Sequence, residues 1–389
     1  MARGPVITAY SMCNGLGATT AAVLDRLSSS QHGLSPCPLD VPFKTVCGVV
    51  QDVLSAPPSS LAAYDSRTVR LALRAYGELA PRVSAAVKRW GSSRVGLLLG
   101  TSTGGVGETE RAYFAWRNTG TLPNDYHYRT QHPFDAVAQV LKACAEIEGP
   151  AYVVSTACSS SAKVLASAAR LIASGVVDAV LTGGVDSLTY TTVRGFHSLG
   201  VMAEGPCRPF HRQHPGMNVG EGAALLLLER EGEGPGRLLG VGETSDAFHM
   251  SAPDPEGKGA VAAMVAALSD AGLDATQIDH VNAHGTGTVR NDAAEAVAIG
   301  AVFGKRVPVA STKGYTGHLL GAAGATEAAF SIACIERQWM PCSLGADAND
   351  PLMPIALLGN GQPAAVRHVL SNAFAFGGNN ISVVLGAAS

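Results

Sequence analysis

Four short segments carry side chains whose types and spacing suit acyl transfer. In "YVVSTACSSSAKVLASAARLIASG" (152–175) an apolar run ends in small residues, Cys158 follows, and an Ala-rich stretch at helical spacing runs to Gly175. A cysteine in the first turn of a helix meets free N–H groups and the positive end of the helix dipole, which favour a thiolate able to attack a thioester or other acyl carbonyl. "VNAHGTGTVRND" (281–292) places His284 where a strand runs into a loop with Gly285 and Gly287. "STKGYTGHLLGAAGATE" (311–327) offers Lys313, His318 and Glu327 around a glycine-rich loop and a helix start. Neither Lys313 nor Glu327 would be buried alone, so a contact between them is expected. "SNAFAFGGNNISVVLG" (371–386) sets Phe376 beside Gly377-Gly378 ahead of a closing strand.

These segments need a scaffold, and its pattern is visible. Apolar bursts of four to six residues alternate with Ala-rich helical stretches, the signature of layered α/β packing. Strands are predicted at Arg94–Gly100, Ala151–Ser155, Ala179–Thr182, Ala223–Glu229, His280–Ala283, Val307–Ser311 and Ile381–Leu385. Helices are predicted at Ser66–Ala80, Phe134–Glu148, Cys158–Ser174, Lys258–Ala271, Ala293–Phe303 and Leu319–Gln338. The stretch "EGEGPGR" (231–237) breaks both periods and is the expected junction between two halves, 1–235 and 236–389. An internal echo supports two halves: 153–172 and 308–335 both read as apolar strand, Ser-Thr, then Ala-rich helix, with Cys158 in the first where Lys313 stands in the second.

Composition narrows the class. At 389 residues the chain exceeds one ordinary core. A net charge of −3 lacks the basic excess of a nucleic-acid binder. No apolar run approaches the roughly 18 residues of a membrane span, and the N-terminal apolar stretch is too short for a signal peptide, so a cytoplasmic protein is expected. The eight cysteines show no CxxC spacing, and His284 with His318 shows no third ligand in sequence, so neither a metal nor another cofactor is indicated.

Each segment is ambiguous alone, but their order is not. With "STACSSSA", "VNAHGTGT", "STKGYTGHLLGAAGATE" and "NAFAFGGNN", supported by "LGTSTGG", "GMNVGEGAALLLLE" and "ETSDAFHMSAP", the chain resembles the β-ketoacyl-acyl-carrier-protein synthases, in the branch using one cysteine and two histidines. The resemblance covers nearly the full length. It implies the thiolase-like fold, two similar α/β halves in a five-layer α-β-α-β-α sandwich, and a homodimer or a heterodimer with a related synthase-like subunit. It implies acyl-carrier-protein thioesters as partners. Carried over residue by residue, it makes Cys158 the nucleophile, with an oxyanion held by the backbone N–H groups of Cys158 and Phe376. His284 and His318 become Nε2 donors to the enolate left by malonyl decarboxylation. Lys313 supports the histidines, Glu327 is its partner, Phe376 is a gate, and Asp246 lies in a companion loop.

The departures are as informative. "AFGGNN" stands where the family has "GFGGTN", so Ala375 replaces a glycine and a stiffer gate is expected. Val289, Arg290 and Asn291 follow "HGTGT" without the usual proline. These departures turn the reading away from ordinary fatty-acid chains, and the combination of "SDAFHMSAP", "STACSSSA" and "FAFGGNN" resembles the synthases of aryl-polyene and related polyene pigment clusters. A non-catalytic chain-length-factor-like subunit is the alternative, against which Cys158 and both histidines count. A thiolase would need a second catalytic cysteine, and the Cys/His/Asn branch lacks His318. Arg67, Arg70 and Arg74, on one face of a predicted helix, are candidate contacts for an acidic carrier protein.

Overall fold

The computed structural model describes residues 4–346 and 353–388, so Met1–Arg3 of the N-terminal stretch lie outside it. Ten strands carry the architecture: β1 (Val6–Asn14), β2 (Val95–Gly100), β3 (Ala151–Val154), β4 (Ala179–Asp186), β5 (Gly222–Glu229), β6 (Gly236–Ser245), β7 (His280–Asn282), β8 (Pro308–Ala310), β9 (His368–Ala375) and β10 (Asn379–Gly386). The first five run in the order β1-β5-β4-β2-β3 and the second five in the order β6-β10-β9-β7-β8. The directions repeat as well. In each set the first two pairings are antiparallel and the last two parallel. Among the described residues the two sets pair only where Val6 and Ile7 meet Arg237 and Gly236, and a two-residue strand, Ala356–Leu357, adds an edge beyond β8.

Alternation along single strands shows how these sheets are layered. Leu225 and Leu227 of β5 point into one core, with Val69, Leu71 and Val83 of α1 (Arg67–Trp90) and Val137 and Leu141 of α2 (Ala136–Cys144). Leu226 and Leu228 point the opposite way, into a core shared by α3 (Ser160–Ala173) and by a late helix, Ala323–Arg337. That same core takes Ile381, Val383 and Leu385 of β10, while Val384 faces a third core. The third core is closed by Lys258–Ala271 and Val289–Phe303. Period-two side chains thus feed two sheets and three helical layers, the five-layer thiolase-like sandwich. The helix Ala323–Arg337 is buried on every side from Ala323 to Ile335, which is why its sequence is apolar all round rather than striped.

Two predicted boundaries move for local reasons. The α1 helix continues through Pro81 to Trp90. Pro81 removes the bond to the Gly77 carbonyl, but both residues lie on the exposed face, where water takes over. The second half delays its helix: Lys313–Thr316 is one turn, Gly317 sits at φ +71°, and the long helix begins only at Ala323. That insertion is what the internal echo concealed, and it carries His318.

The arginine face of α1 is partly exposed but ion-paired. The Arg67 guanidinium forks onto buried Glu221, with Nε 2.7 Å from Oε2. Arg70 forks onto Asp65 at 2.7 and 2.6 Å. Arg74 donates to the Ala18 carbonyl at 2.8 Å and pairs with Glu78 at 3.6 Å. These cations tie α1 to its surroundings through ion pairs while their side chains stay 36–41 % exposed. Arg67→Ala leaves Glu221 buried without its counter-ion. A loss near the low end of about 3–5 kcal/mol is expected by denaturant unfolding, because Arg67 is itself partly solvated.

Candidate active site

Cys158 follows β3 through a sharp turn in which Ala157 adopts φ +52°, and the helix itself begins two residues later, at Ser160. The turn is tied by the Thr156 N–H donating to Ser160 Oγ at 2.9 Å. The backbone N–H groups of Phe376 and of Cys158 itself both point at the sulfur. Cys158 is nevertheless a thiol at rest. Burial pushes its pKa up to about 11, outweighing Lys313 and the two N–H groups, while Asp186 adds to the rise. Helix placement alone therefore does not deliver the thiolate that the sequence suggested. Alkylation by iodoacetamide, followed by mass spectrometry, is expected to accelerate about tenfold per pH unit from pH 7 to 9 without a plateau. A plateau near pH 7 would mean a preformed thiolate.

His318 Nε2 lies 2.9 Å from Cys158 Sγ, and the His318 ring stands edge-on to His284, with centroids 5.3 Å apart. His318 is held by its backbone, whose N–H donates to the Asn218 carbonyl at 2.7 Å. His284 leaves β7 on a loop whose N–H groups at His284 and Gly285 both donate to Glu295, each at 2.7 Å. Lys313 Nζ reaches the His284 carbonyl at 2.5 Å and His284 Nδ1 at 3.2 Å, and it is ion-paired with buried Glu327. An ammonium has hydrogens and no lone pair, so His284 Nδ1 must accept and its proton sits on Nε2. His318 Nδ1 is buried without a hydrogen-bond partner among the described residues. A bare acceptor costs less than a bare N–H there, which again leaves the proton on Nε2. Burial, then the neighbouring Lys313, holds both imidazoles well below their ordinary pKa, and His318 adds to the effect on His284.

Cys158 Sγ and one nitrogen from each histidine lie within 4.8 Å of one another, a spacing that would also suit a metal. The tautomer argues otherwise for His284: its Nε2 carries a hydrogen, and a ligating histidine normally donates rather than accepts at its other nitrogen.

The structure also brings in residues the sequence did not mark. Glu295, pushed up to about 7 by burial, cradles the His284–Gly285 backbone and takes a third bond from Asn372 at 3.2 Å. Buried Asp292 accepts the N–H groups of Phe210 at 2.7 Å and Gly287 at 3.1 Å. Buried Asp186 spans the halves, accepting from Thr101 and Thr103 of the first and from the Gly321 N–H of the second, at 2.6, 2.7 and 2.6 Å. Their signal was an acid inside an Ala-rich or Thr/Gly-rich segment, where a solvated carboxylate would be out of place.

Phe376 meets Phe196 at 5.8 Å, and its loop is clasped by the loop that carries Asp246. The Gly377 N–H donates to the Met250 carbonyl, the Asp246 N–H to the Gly378 carbonyl, and Asn380 Nδ2 to Asp246 at 2.6 Å. Ala375 ends β9 opposite Asn379 without a positive φ; the left-handed angles fall at Gly377 and Gly378, +85° and +74°. The hinge geometry of this conformation therefore needs no glycine at 375. A cavity of about 460 Å³ includes Cys158, His284 and His318; its lining pairs apolar Phe196, Leu199 and Met217 with polar Thr286, Thr288 and Asn380.

Profile comparison matches residues 47–233 to the N-terminal domain of β-ketoacyl synthases and residues 236–347 to their C-terminal domain. The chain belongs to the β-ketoacyl synthase family. It is an acyltransferase of the 3-oxoacyl-[acyl-carrier-protein] synthase class. Among curated relatives it is 32 % identical to nodulation protein E of Rhizobium meliloti, over 98 % of both chains. It is also 32 % identical to 3-oxoacyl-[acyl-carrier-protein] synthase 2 of Staphylococcus aureus, over 75 % of this synthase and 77 % of that one. Among solved structures it resembles a chain of the complex of a ketosynthase with its chain length factor from Xenorhabdus doucetiae. The TM-score there is 0.94 and the identity 39 %, covering 99 % of this chain and 98 % of that one. A ketosynthase/chain length factor structure named for ishigamide matches at TM-score 0.93 and 25 % identity, covering both chains fully. Among the described residues of the synthase no helix is long and apolar enough to cross a membrane.

Proposed function

We propose that this synthase extends carrier-bound acyl chains by two carbons through an acyl-Cys158 intermediate. The observation that carries the reading is the cluster of donors around one sulfur: His318 Nε2 at 2.9 Å and the N–H groups of Cys158 and Phe376. In the first half-reaction Sγ attacks the carrier thioester, the acyl–Cys158 bond forms, and the carrier thiol leaves with the proton that Cys158 gives up. The two backbone N–H groups stabilise the oxyanion without reorganising. In the second, malonyl thioester loses carbon dioxide and the resulting enolate oxygen takes hydrogen bonds from the two Nε2–H groups. Its carbon attacks the acyl carbonyl, the acyl–Cys158 bond breaks, and the departing thiolate takes a proton from solvent. Lys313 and Glu327 act through His284, and Phe376 gates the acyl end of the cavity.

The same reading divides the chain at 235/236 into a half bearing Cys158 and a half bearing both histidines and the gate. It supplies an acyl carrier protein as donor and a second synthase-like subunit, identical or of the chain-length-factor kind, as dimer partner. A cytoplasmic setting fits eight cysteines that are all free thiols. Substrates in the aryl-polyene class fit the resemblance carried by "SDAFHMSAP", "STACSSSA" and "FAFGGNN".

Intact-protein mass spectrometry tests the reading, using carrier proteins loaded with saturated, polyenoyl or aryl-enoyl chains. An adduct absent from Cys158→Ala, and discharged by malonyl-carrier protein to a product two carbons longer, is the expected result. Lack of an adduct with every donor, with a partner subunit present, would reduce the protein to a non-catalytic subunit.

A further inference from the structure

The arginines first expected to meet the carrier are committed to internal pairs, yet one cation at the cavity is not. Arg290 is exposed, and it lines both the cavity that holds Cys158 and an adjoining groove of about 440 Å³. That double position places it on the rim where the cavity opens to the surface. No described residue forms an ion pair or hydrogen bond with its guanidinium. The nearby acids do not cancel it. Asp292, two residues on, is turned inward onto the Phe210 and Gly287 N–H groups. Asp246 is occupied by Asn380 and by the Asp254 N–H, at 2.6 and 3.2 Å. Beside Arg290 the groove lining includes exposed apolar side chains, Val289 at 60 % and Phe248 at 56 %, together with His249.

We infer that Arg290 is a positioning residue that holds the phosphodiester of the incoming phosphopantetheine arm. The proposal rests on the synthase reading above. Any thioester reaching Cys158 from a carrier must lie along the cavity, with hydroxyl and amide groups such as Thr286, Thr288 and Asn380 suited to its amides. The arm carries its one anionic group at the far end from the sulfur, so it must leave the cavity across the rim. A planar guanidinium unpaired at that rim offers two parallel donors to a phosphate.

The test compares malonyl-pantetheine, malonyl-phosphopantetheine and malonyl-carrier protein on enzyme already acylated at Cys158. Wild type is expected to favour the phosphorylated arm over the unphosphorylated one by about tenfold in KM, the scale of one charge-assisted contact. Arg290→Ala should collapse that ratio to about one, with the change in KM rather than kcat, and Arg290→Lys should recover part of it. An unchanged ratio overturns the assignment. So does a loss confined to malonyl-carrier protein, which would mean Arg290 reads an acidic side chain of the carrier, and so does a loss confined to kcat. The Cys158 adduct itself is measured first in wild type. Its absence would sink the synthase reading, whereas its presence with an unchanged ratio sinks only the role of Arg290.

Discussion

His318→Ala is expected to lower the overall condensation rate by about 10²–10³-fold, the usual cost of removing one preorganised donor from a developing oxyanion. His284→Ala should fall by a similar factor, yet the two losses should divide differently between the half-reactions. Of the two imidazoles, His318 is the one hydrogen-bonded to the sulfur, at 2.9 Å. Its removal therefore slows formation of acyl-Cys158 as well as release of carbon dioxide. His284 is aimed by Lys313 and by the Glu295 cradle on its backbone, and it has no hydrogen bond to the sulfur. His284→Ala should slow carbon dioxide release while acylating Cys158 distinctly faster than His318→Ala does. Single-turnover acylation by mass spectrometry and carbon dioxide release from malonyl thioester separate the two. Equal losses in acylation would dismiss the division of labour argued here.

The chemistry was easier to read than its support. Cys158, His284, Lys313 and His318 stand in short segments whose small neighbours announce a site, and the structure gathers all four around one cavity or one ammonium. The strands around them were legible because each sheet alternates between two dry cores, giving apolar bursts at Val95–Gly100 and Gly222–Glu229. β1, β6 and β9 escaped because they interleave polar residues, such as Ser11, Asn14, Glu243 and Asn372, among the apolar ones. The ion pairing of the Arg67 face was illegible for a different reason: spacing shows three arginines on one face, but Glu221 comes from a segment far away in sequence. The protonation state of Cys158 was also out of reach, because it follows from burial between two halves of the chain rather than from its neighbours. Spacing reveals which groups can meet; it does not reveal what surrounds them when they do.

Lys313 is where stability and catalysis can be pulled apart. Its ammonium bridges Glu327 and His284 in a place where both charged side chains are almost fully enclosed. Lys313→Met keeps the volume but strands Glu327, so a loss of about 3–5 kcal/mol is expected in denaturant unfolding. The pH dependence gives that loss a signature. Burial already raises Glu327 to about 7, with Lys313 pulling the other way. A carboxyl raised in the folded state holds its proton where the unfolded chain has released it. Folding is therefore weakened as pH rises from the ordinary value near 4.5 up to the folded value, and no further beyond it. Wild type should stop losing stability from this group near pH 7. Without Lys313 the folded value climbs higher, and the variant should go on losing stability, about 1 kcal/mol more than wild type between pH 7 and pH 8. Lys313→Met/Glu327→Gln removes both charges and should recover most of the stability, since a buried pair taken out whole costs far less than half of one. It should not recover carbon dioxide release, because no donor then holds His284 in the Nε2–H tautomer. A double variant that regained both would make Lys313 a purely structural residue; one that folds and stays slow locates its work at His284 Nδ1.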